Sequence, residues 1–177
     1  MTSPDSDDAR RKTMSGHFRV WEDVFRALEA ESKAKRISLN TLVNQVLATH
    51  TRDEVVLEEL RFLRMSRDVY RSYLAMVPDE RLSELGALHA KTEDAVLLAM
   101  SGSLNLDAVL DELQLLSRSG WYSFHHTRKN GREHIAMSHD LGPRFSVVFS
   151  AYLSGMFALA GIHPKVTPTS SSVVVEY

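Results

Sequence analysis

The sequence predicts an α+β protein, with a strand and two helices first, a helical middle region second and a ββαβ unit third. Three patterns support this fold class. His17–Val20 alternates polar and apolar residues, which is typical of a strand. Asn130-Gly131 separates two further alternating segments, which predicts a β-hairpin. After Ser38, apolar residues recur at the spacing of one helix face, at Leu39, Leu42, Val43, Val46 and Leu47.

Length and composition are those of an ordinary globular protein. The chain has 177 residues, of which 44% are hydrophobic, and this is enough for a core. It has no cysteine, which excludes disulfides and thiolate chemistry and agrees with a reducing compartment. No apolar run reaches the roughly 18 residues of a membrane span, and the first residues do not resemble a signal peptide. We therefore expect a cytoplasmic protein with no membrane partner.

Residues 1–12 are predicted to be a disordered tail followed by a basic arm. Asp, Ser and Pro dominate residues 1–8 and offer nothing that could be buried. Arg10, Arg11 and Lys12 then precede the predicted strand, where they can reach a phosphate group or stay a solvated charge run. The formal net charge of the chain is −2, but residues 9–50 hold eight basic and four acidic side chains, which gives +4.

Residues 13–51 are predicted to fold only as an intertwined dimer. Glu22 and Asp23 open the first helix, where their charge suits the positive end of the helix dipole, and Ser38 caps the second. One strand and two short helices bury too little surface to offset their chain entropy, and a lone strand leaves its backbone unpaired. Two copies can pair their strands antiparallel across a two-fold axis and share one helical core.

The segments FRV, ED and ISLNTLVNQVL of this region resemble the ribbon-helix-helix (MetJ/Arc-type) family of DNA-binding proteins. The resemblance covers about the first third of the chain. It implies that the paired strands enter the major groove of double-stranded DNA, with base contacts from Ser15, His17 and Arg19. It also implies that the start of the second helix holds a phosphate. With the basic arm, the expected DNA backbone contacts are then Lys12, Ser38, Asn40 and Thr41.

The chemistry of these residues agrees with that role. An arginine can hold guanine through two hydrogen bonds, and the free N–H groups at a helix start suit an anion. The family often has glycine between its two helices, whereas Lys35-Arg36 stands here, which predicts a different helix end. The alternative is that residues 17–50 form an amphipathic helical hairpin that serves only to dimerise.

Residues 52–119 are predicted to be connecting helices. Ser66 is expected to cap one helix, and Pro78 is expected to open another. Periodicity does not decide between helix and strand for residues 93–100. Apolar stripes predict helices over residues 55–63, 69–74, 82–88 and 106–116.

Residues 120–177 are predicted to be an α+β unit for assembly or effector sensing. If Asn130 and Gly131 are the central turn residues, Phe124 pairs with Met137 and Thr127 pairs with His134. The hairpin face with Phe124 and Met137 is then the core face.

A long apolar helix and a final strand complete this unit. The helix, predicted over residues 144–161, is apolar nearly all round, so a single small sheet covers only one of its sides. The other side needs the middle helices or a second subunit. Ser146, Ser150 and Ser154 form a stripe of small residues that either accepts a close neighbour or faces water. SVVVEY is the predicted final strand.

The sequence lacks the common signatures of catalysis. It has no phosphate-cradling glycine-rich loop, no HExxH motif and no G-x-S-x-G elbow, so we expect neither an enzyme nor a cofactor. His125 and His134 lie diagonally on one face of the predicted hairpin and are weak candidates for a metal site. The resemblance of this arrangement to nickel-responsive repressors makes a metal-responsive repressor an alternative, although the cysteine that such sites use is absent.

These observations predict a sequence-specific transcriptional regulator, with repression as the expected mode. It would bind double-stranded DNA as a homodimer or as a tetramer made of two dimers. An unknown effector or protein partner would act on its C-terminal unit. The alternative from another class is an antitoxin-like interaction protein whose C-terminal region holds a partner protein and which uses DNA only for autoregulation.

Overall fold

The structure, a computed structural model, describes residues 14–51, 55, 58, 65–129 and 131–177. By its internal contacts the chain divides into two units, Met1–Leu57 and Glu58–Tyr177. The predicted tail, the basic arm with Lys12 and the stripe over residues 55–63 fall wholly or largely outside the described residues.

Two helices form the described part of the N-terminal unit, as the sequence predicts. They are α1 (Glu22–Lys35) and α2 (Leu39–Thr49). Glu22 and Asp23 occupy the first turn of α1, and Ser38 is the N-cap of α2. Both helix starts therefore follow the expected chemistry, in which acidic side chains or a hydroxyl oxygen meet free backbone N–H groups.

Arg36 ends α1 in the conformation that glycine usually adopts. Its φ is 55° and its ψ is 40°, in the left-handed region. The Arg36 N–H donates to the Lys33 carbonyl at 3.2 Å, and the Ile37 N–H donates to the Ser32 carbonyl at 3.1 Å. This is the hydrogen-bond pattern of a Schellman helix end. The prediction of a different helix end is therefore wrong: the turn is retained, and an L-residue carries a left-handed conformation that costs about 1–2 kcal/mol.

The strand predicted at His17–Val20 is not present in the single chain. Residues 14–21 have no regular secondary structure. A strand needs a neighbour for its backbone N–H and C=O groups, and the described part of this unit contains no second strand. A ribbon formed by two copies therefore stays a prediction.

Helices dominate the first half of the C-terminal unit. Residues 93–100, which periodicity left open between helix and strand, are helical. Ser66 caps as predicted, its Oγ accepting from the Val69 N–H at 3.3 Å, and Asn105 caps in the same way from the Ala108 N–H at 2.9 Å. Pro78 precedes a single 3-10 turn before the next helix begins. The helices are α3 (Arg67–Met76), α4 (Leu82–Ala90), α5 (Glu93–Ser101) and α6 (Leu106–Arg118).

A four-stranded antiparallel sheet and one long helix form the second half. Strands β1 (Ser123–Lys129) and β2 (Arg132–Ser138) precede α7 (Pro143–Leu159), and β3 (Lys165–Pro168) and β4 (Ser172–Glu176) follow it. The strand order is β1-β2-β4-β3. The predicted ββαβ unit is therefore a ββαββ unit, because a short edge strand pairs with the final one. Its four residues end in proline, which leaves little period-two signal in the sequence.

The hairpin register agrees with the prediction. Phe124 pairs with Met137, and Thr127 pairs with His134. Ile135 and Met137 are fully buried, so the core face is also as expected. Arg128 lies opposite Glu133 near the turn and forms an ion pair with it at 3.3 Å.

The core of this unit surrounds α7. Its apolar side chains lie in one buried cluster with residues of β2, β4 and the middle helices. One side of α7 faces β3 and β4, and the other side packs along α4. The second side of α7 is therefore covered within the chain by α4, a helix of the region that the sequence predicts to be connecting helices.

Small residues allow α4 and α7 to approach closely, but they are not the predicted serines. A Cβ added to Gly86 would overlap the Val148 carbonyl oxygen, and one added to Gly155 would overlap the Ala90 side chain. In the predicted stripe, by contrast, Ser146 is buried and Ser154 is exposed. In the described part of the chain, no helix has both the length and the apolar character that a membrane span requires.

We expect Gly86→Ala to destabilise the C-terminal unit by about 3 kcal/mol or more, because the backbone of α7 must move away from α4. Urea denaturation followed by near-ultraviolet circular dichroism measures this loss. Ser83→Ala, at an exposed position of the same helix, is the control and should stay within about 0.5 kcal/mol of wild type. Equal losses for the two variants would show that the helices are not in close contact at Gly86.

Candidate nucleic-acid interface

The side chains predicted to read bases lie in an open segment before α1. Ser15, His17 and Arg19 are all exposed, and the structure does not bring them together in a regular strand. The apolar residues between them are exposed as well: Phe18 has 79% of its surface in solvent and Val20 has 49%. Both faces of the segment are therefore exposed to solvent, and its apolar side chains do not pack against a hydrophobic core.

Exposed apolar side chains extend over the described part of the N-terminal unit. Among residues 14–51 only Ser32 and Leu42 are buried. Removing apolar surface from water contributes about 25 cal/mol per Å², so this unit forgoes most of the stabilisation that its sequence offers. The large apolar side chains left in solvent are Met14, Phe18, Val20, Trp21, Val24, Phe25, Val46 and Leu47.

The start of α2 brings together the three side chains predicted to meet a phosphate. The Thr41 N–H donates to Ser38 Oγ at 3.0 Å, and the two hydroxyl oxygens lie 2.7 Å apart. Asn40 lies between them in the same turn, where its carbonyl oxygen accepts from the Asn44 side-chain amide at 2.8 Å. All three residues are exposed, and the first turn has no acidic side chain. Free N–H groups and the positive helix end at such a place favour an anion.

The cations of this unit divide into paired and unpaired ones. Arg26 forms an ion pair with Glu22 at 2.5 Å, and Lys35 forms one with Glu31 at 2.6 Å. Arg19, Lys33 and Arg36 form no ion pair with any other described residue. Arg19 is therefore exposed and free to contact a ligand. Lys12 lies outside the described residues.

The two histidines considered for a metal site share one sheet face, as predicted. His134 lies opposite Thr127, and His125 is on the same face of β1. His134 Nδ1 lies 3.1 Å from Glu176 Oε1, so its nearest partner is a carboxylate on β4. Residues 14–51, 65–129 and 131–177 contain no group of three or more His, Asp or Glu side chains that could hold a metal ion.

His139 and Ser146 form a buried pair that sequence reasoning did not single out. The Leu141 N–H donates to His139 Nδ1 at 3.3 Å, and His139 Nε2 lies 2.9 Å from Ser146 Oγ. Because Nδ1 is an acceptor, the ring proton is on Nε2 and points at the serine. Burial lowers the pKa of His139, which keeps the ring neutral. This tautomer does not take a proton from Ser146, so the pair ties β2 to α7 and is not an activated nucleophile.

A pair of acidic residues lies in the core beside α7. Glu112 on α6 is only 2% exposed, and its Oε1 accepts from the Tyr152 hydroxyl at 3.3 Å. The Oε2 atoms of Glu112 and Glu93 are buried and have no hydrogen-bond partner among the described residues. Burial, together with the nearby Glu93, raises the pKa of Glu112 to about 9, and burial raises the pKa of Glu93 as well. At neutral pH Glu112 is therefore protonated.

The sequence contains a signal for the burial of Glu112, although Glu112 belongs to no catalytic motif. Glu112 is four residues after Ala108 and three after Val109, so it lies inside the buried stripe of α6. An acidic residue within an apolar stripe predicts either a partner in the core or a raised pKa.

Comparison with protein-family models, with curated protein sequences and with solved structures finds no match to this chain.

We expect the stability of the C-terminal unit to fall as pH rises between about 5 and 9. The unfolded chain loses the Glu112 proton near its ordinary pKa of 4.5, whereas the folded chain keeps it up to about 9. Over that window the unfolded state binds fewer protons, so unfolding becomes easier, by at most about 1.4 kcal/mol per pH unit.

Glu112→Gln should flatten this pH dependence and raise stability at pH 8 by about 2 kcal/mol, because glutamine keeps the shape and stays neutral. Thermal unfolding measured at several pH values tests this. Glu84→Gln, on the exposed side of α4, is the control. If wild type and Glu112→Gln show parallel curves from pH 6 to pH 9, the buried acid is not protonated in the folded protein.

Proposed function

We propose that this chain is a sequence-specific DNA-binding transcriptional regulator that acts as a dimer through its N-terminal unit. The observation that carries the proposal is the exposed apolar surface of that unit. Two short helices and a segment with strand periodicity leave Phe18, Val20, Trp21 and Phe25 in solvent. A second copy of the same segment offers both the missing apolar surface and the missing strand partner.

The periodicity of residues 17–20 determines what such a dimer would present. Paired antiparallel strands direct alternate side chains to opposite faces. If Phe18 and Val20 turn inward onto the helices, His17 and Arg19 turn outward on the other face. A two-stranded ribbon is narrow enough for the major groove, where the Arg19 guanidinium can meet a guanine edge.

The start of α2 supports backbone contact in the same dimer. Ser38, Asn40 and Thr41 are exposed in the first turn, and two copies would give two such turns on either side of the ribbon. Contacts to phosphates fix the register of the protein on DNA without reading its sequence. The unit thus holds both kinds of group that a sequence-specific DNA-binding protein needs.

We expect the full chain to melt at a temperature that rises with protein concentration, because association stabilises the folded N-terminal unit. Far-ultraviolet circular dichroism over a hundredfold range of concentration measures this, with sedimentation equilibrium on the same samples. Phe18→Ser should weaken the association, whereas Ser83→Ala should not change it. A concentration-independent transition together with a monomer in sedimentation would contradict the dimer.

We expect selection from random double-stranded DNA to yield one preferred site. Arg19→Ala should weaken binding to that site by about 1–3 kcal/mol for each lost bidentate contact and reduce the discrimination against other sequences. Arg26→Ala is the matched control, because it removes the same charge from an arginine that is paired with Glu22 on α1. If Arg19→Ala binds the selected site as tightly as wild type does, Arg19 does not read a base.

A further inference from the structure

One face of the C-terminal sheet is open. The register places Val173, Val175, Ile135 and Met137 on the face toward α7, where all four are buried. The opposite face carries the alternate residues of each strand, and none of them is buried. We call one end of this face the basic sheet end, defined by Lys129, Arg132, His134, Lys165 and Glu176.

The basic sheet end is formed by two adjacent rows of residues. Lys129 is the cross-strand partner of Arg132 beside the hairpin turn. In the next row on this face, His134 is the partner of Glu176, which is in turn the partner of Lys165. The cations therefore come from three strands of one rigid sheet, and alternate side chains along a strand are about 7 Å apart.

Most of the positive charge there is not neutralised. Lys129 and Arg132 are exposed and form no ion pair with any other described residue. The single acid, Glu176, is shared between His134 Nδ1 at 3.1 Å and Lys165 Nζ at 3.6 Å. Three cations and one acid give this end a formal charge of +2.

The positive charge of the basic sheet end is opposite in sign to the net charge of the rest of the C-terminal unit. Residues 58–177 hold 12 basic and 14 acidic side chains, a net charge of −2, so the remainder of the unit carries −4. A basic surface on an acidic unit is an electrostatic footprint for an anionic partner.

The arrangement and the composition of this face disfavour three classes of partner, namely a small anion, a protein and a single-stranded nucleic acid. The cations lie in two rows on three strands, so they are distributed across the sheet and do not surround one point, as they would around a small anion. Large exposed apolar side chains, the usual anchors of a protein interface, are not found among the described residues of this face. Phe, Tyr and Trp are also missing from this face, so single-stranded bases would find only the small imidazole rings of His125 and His134 to stack on.

We propose that the basic sheet end binds the phosphate backbone of double-stranded DNA, as a second contact beyond the site held by the N-terminal unit. This proposal rests on the proposed function and names a further part of the same interface. Such a contact reads no sequence: it adds affinity that falls with salt, with a slope of about −0.9 in log affinity against log salt concentration per phosphate neutralised.

The experiment compares full-length wild type with the Lys129→Ala/Arg132→Ala double variant. The matched control is Arg81→Ala/Lys91→Ala, which removes the same charge from exposed positions near the two ends of α4. Fluorescence anisotropy at several salt concentrations gives the slope on two DNA duplexes. One is trimmed to the selected site, and the other has one helical turn added on each side.

On the longer duplex, the salt slope of the double variant should be smaller than that of wild type by about two units. The ratio of wild-type affinity to variant affinity should therefore be about tenfold larger at about 50 mM salt than at about 200 mM salt. On the trimmed duplex it should match wild type, and the control variant should match wild type on both. Glu176→Gln should bind the longer duplex more tightly than wild type does. Loss of fold cannot produce that gain.

Two results overturn the proposal and can be told apart. If wild type binds with a salt-dependent affinity and the double variant has the same slope on the longer duplex, only this second contact is wrong. If wild type shows no salt-dependent binding to either duplex, the proposed function fails as well, and the proposal fails with it.

Discussion

The N-terminal unit depends on one constraint: its apolar surface has to be buried, and one copy does not bury it. Leu42 is the sole buried apolar side chain among residues 14–51. Chain entropy exceeds what so little burial can offset, and the proposed dimer would supply the missing burial. If the partner is a second copy, the same association that completes the core also pairs the strands, and the pairing places His17 and Arg19 on an outward face. Folding, dimerisation and DNA recognition would then be one event.

The C-terminal unit meets the same need within one chain, and it shows how far sequence patterns reach. The N–G turn, the register and the buried face of β1 and β2 follow from period two, so they could be predicted. The cover over the second side of α7 could not. The packing of α4 on α7 depends on Gly86 and Gly155, whose lack of side chains lets the two helices approach closely. A hydrophobic pattern does not reveal such a contact, because glycine contributes no apolar side chain to the pattern.

The candidate site shows the same division. Ser38 and Thr41 follow local capping chemistry, which the sequence states directly, and the structure places them as expected. A strand at His17–Val20 would need a paired neighbour, and the described part of the N-terminal unit contains none. The absence of glycine at Arg36 predicts a different helix end. The two hydrogen bonds of the Schellman helix end nevertheless hold this arginine in the left-handed conformation. The burial of Glu112 follows from its place in the apolar stripe of α6, whereas its contact with Tyr152 depends on an element distant in sequence.

Amide hydrogen exchange across residues 15–20 of the full chain, followed as protein concentration is raised, reports whether two copies pair these segments as strands. Backbone N–H groups in a paired ribbon are protected, and those in an open segment exchange at the rate of an unfolded peptide. We expect protection of alternate amides in this segment that grows as dimer replaces monomer and that persists on DNA. Unprotected exchange at concentrations where sedimentation already shows a dimer would contradict it, because the two copies would then meet through some other surface.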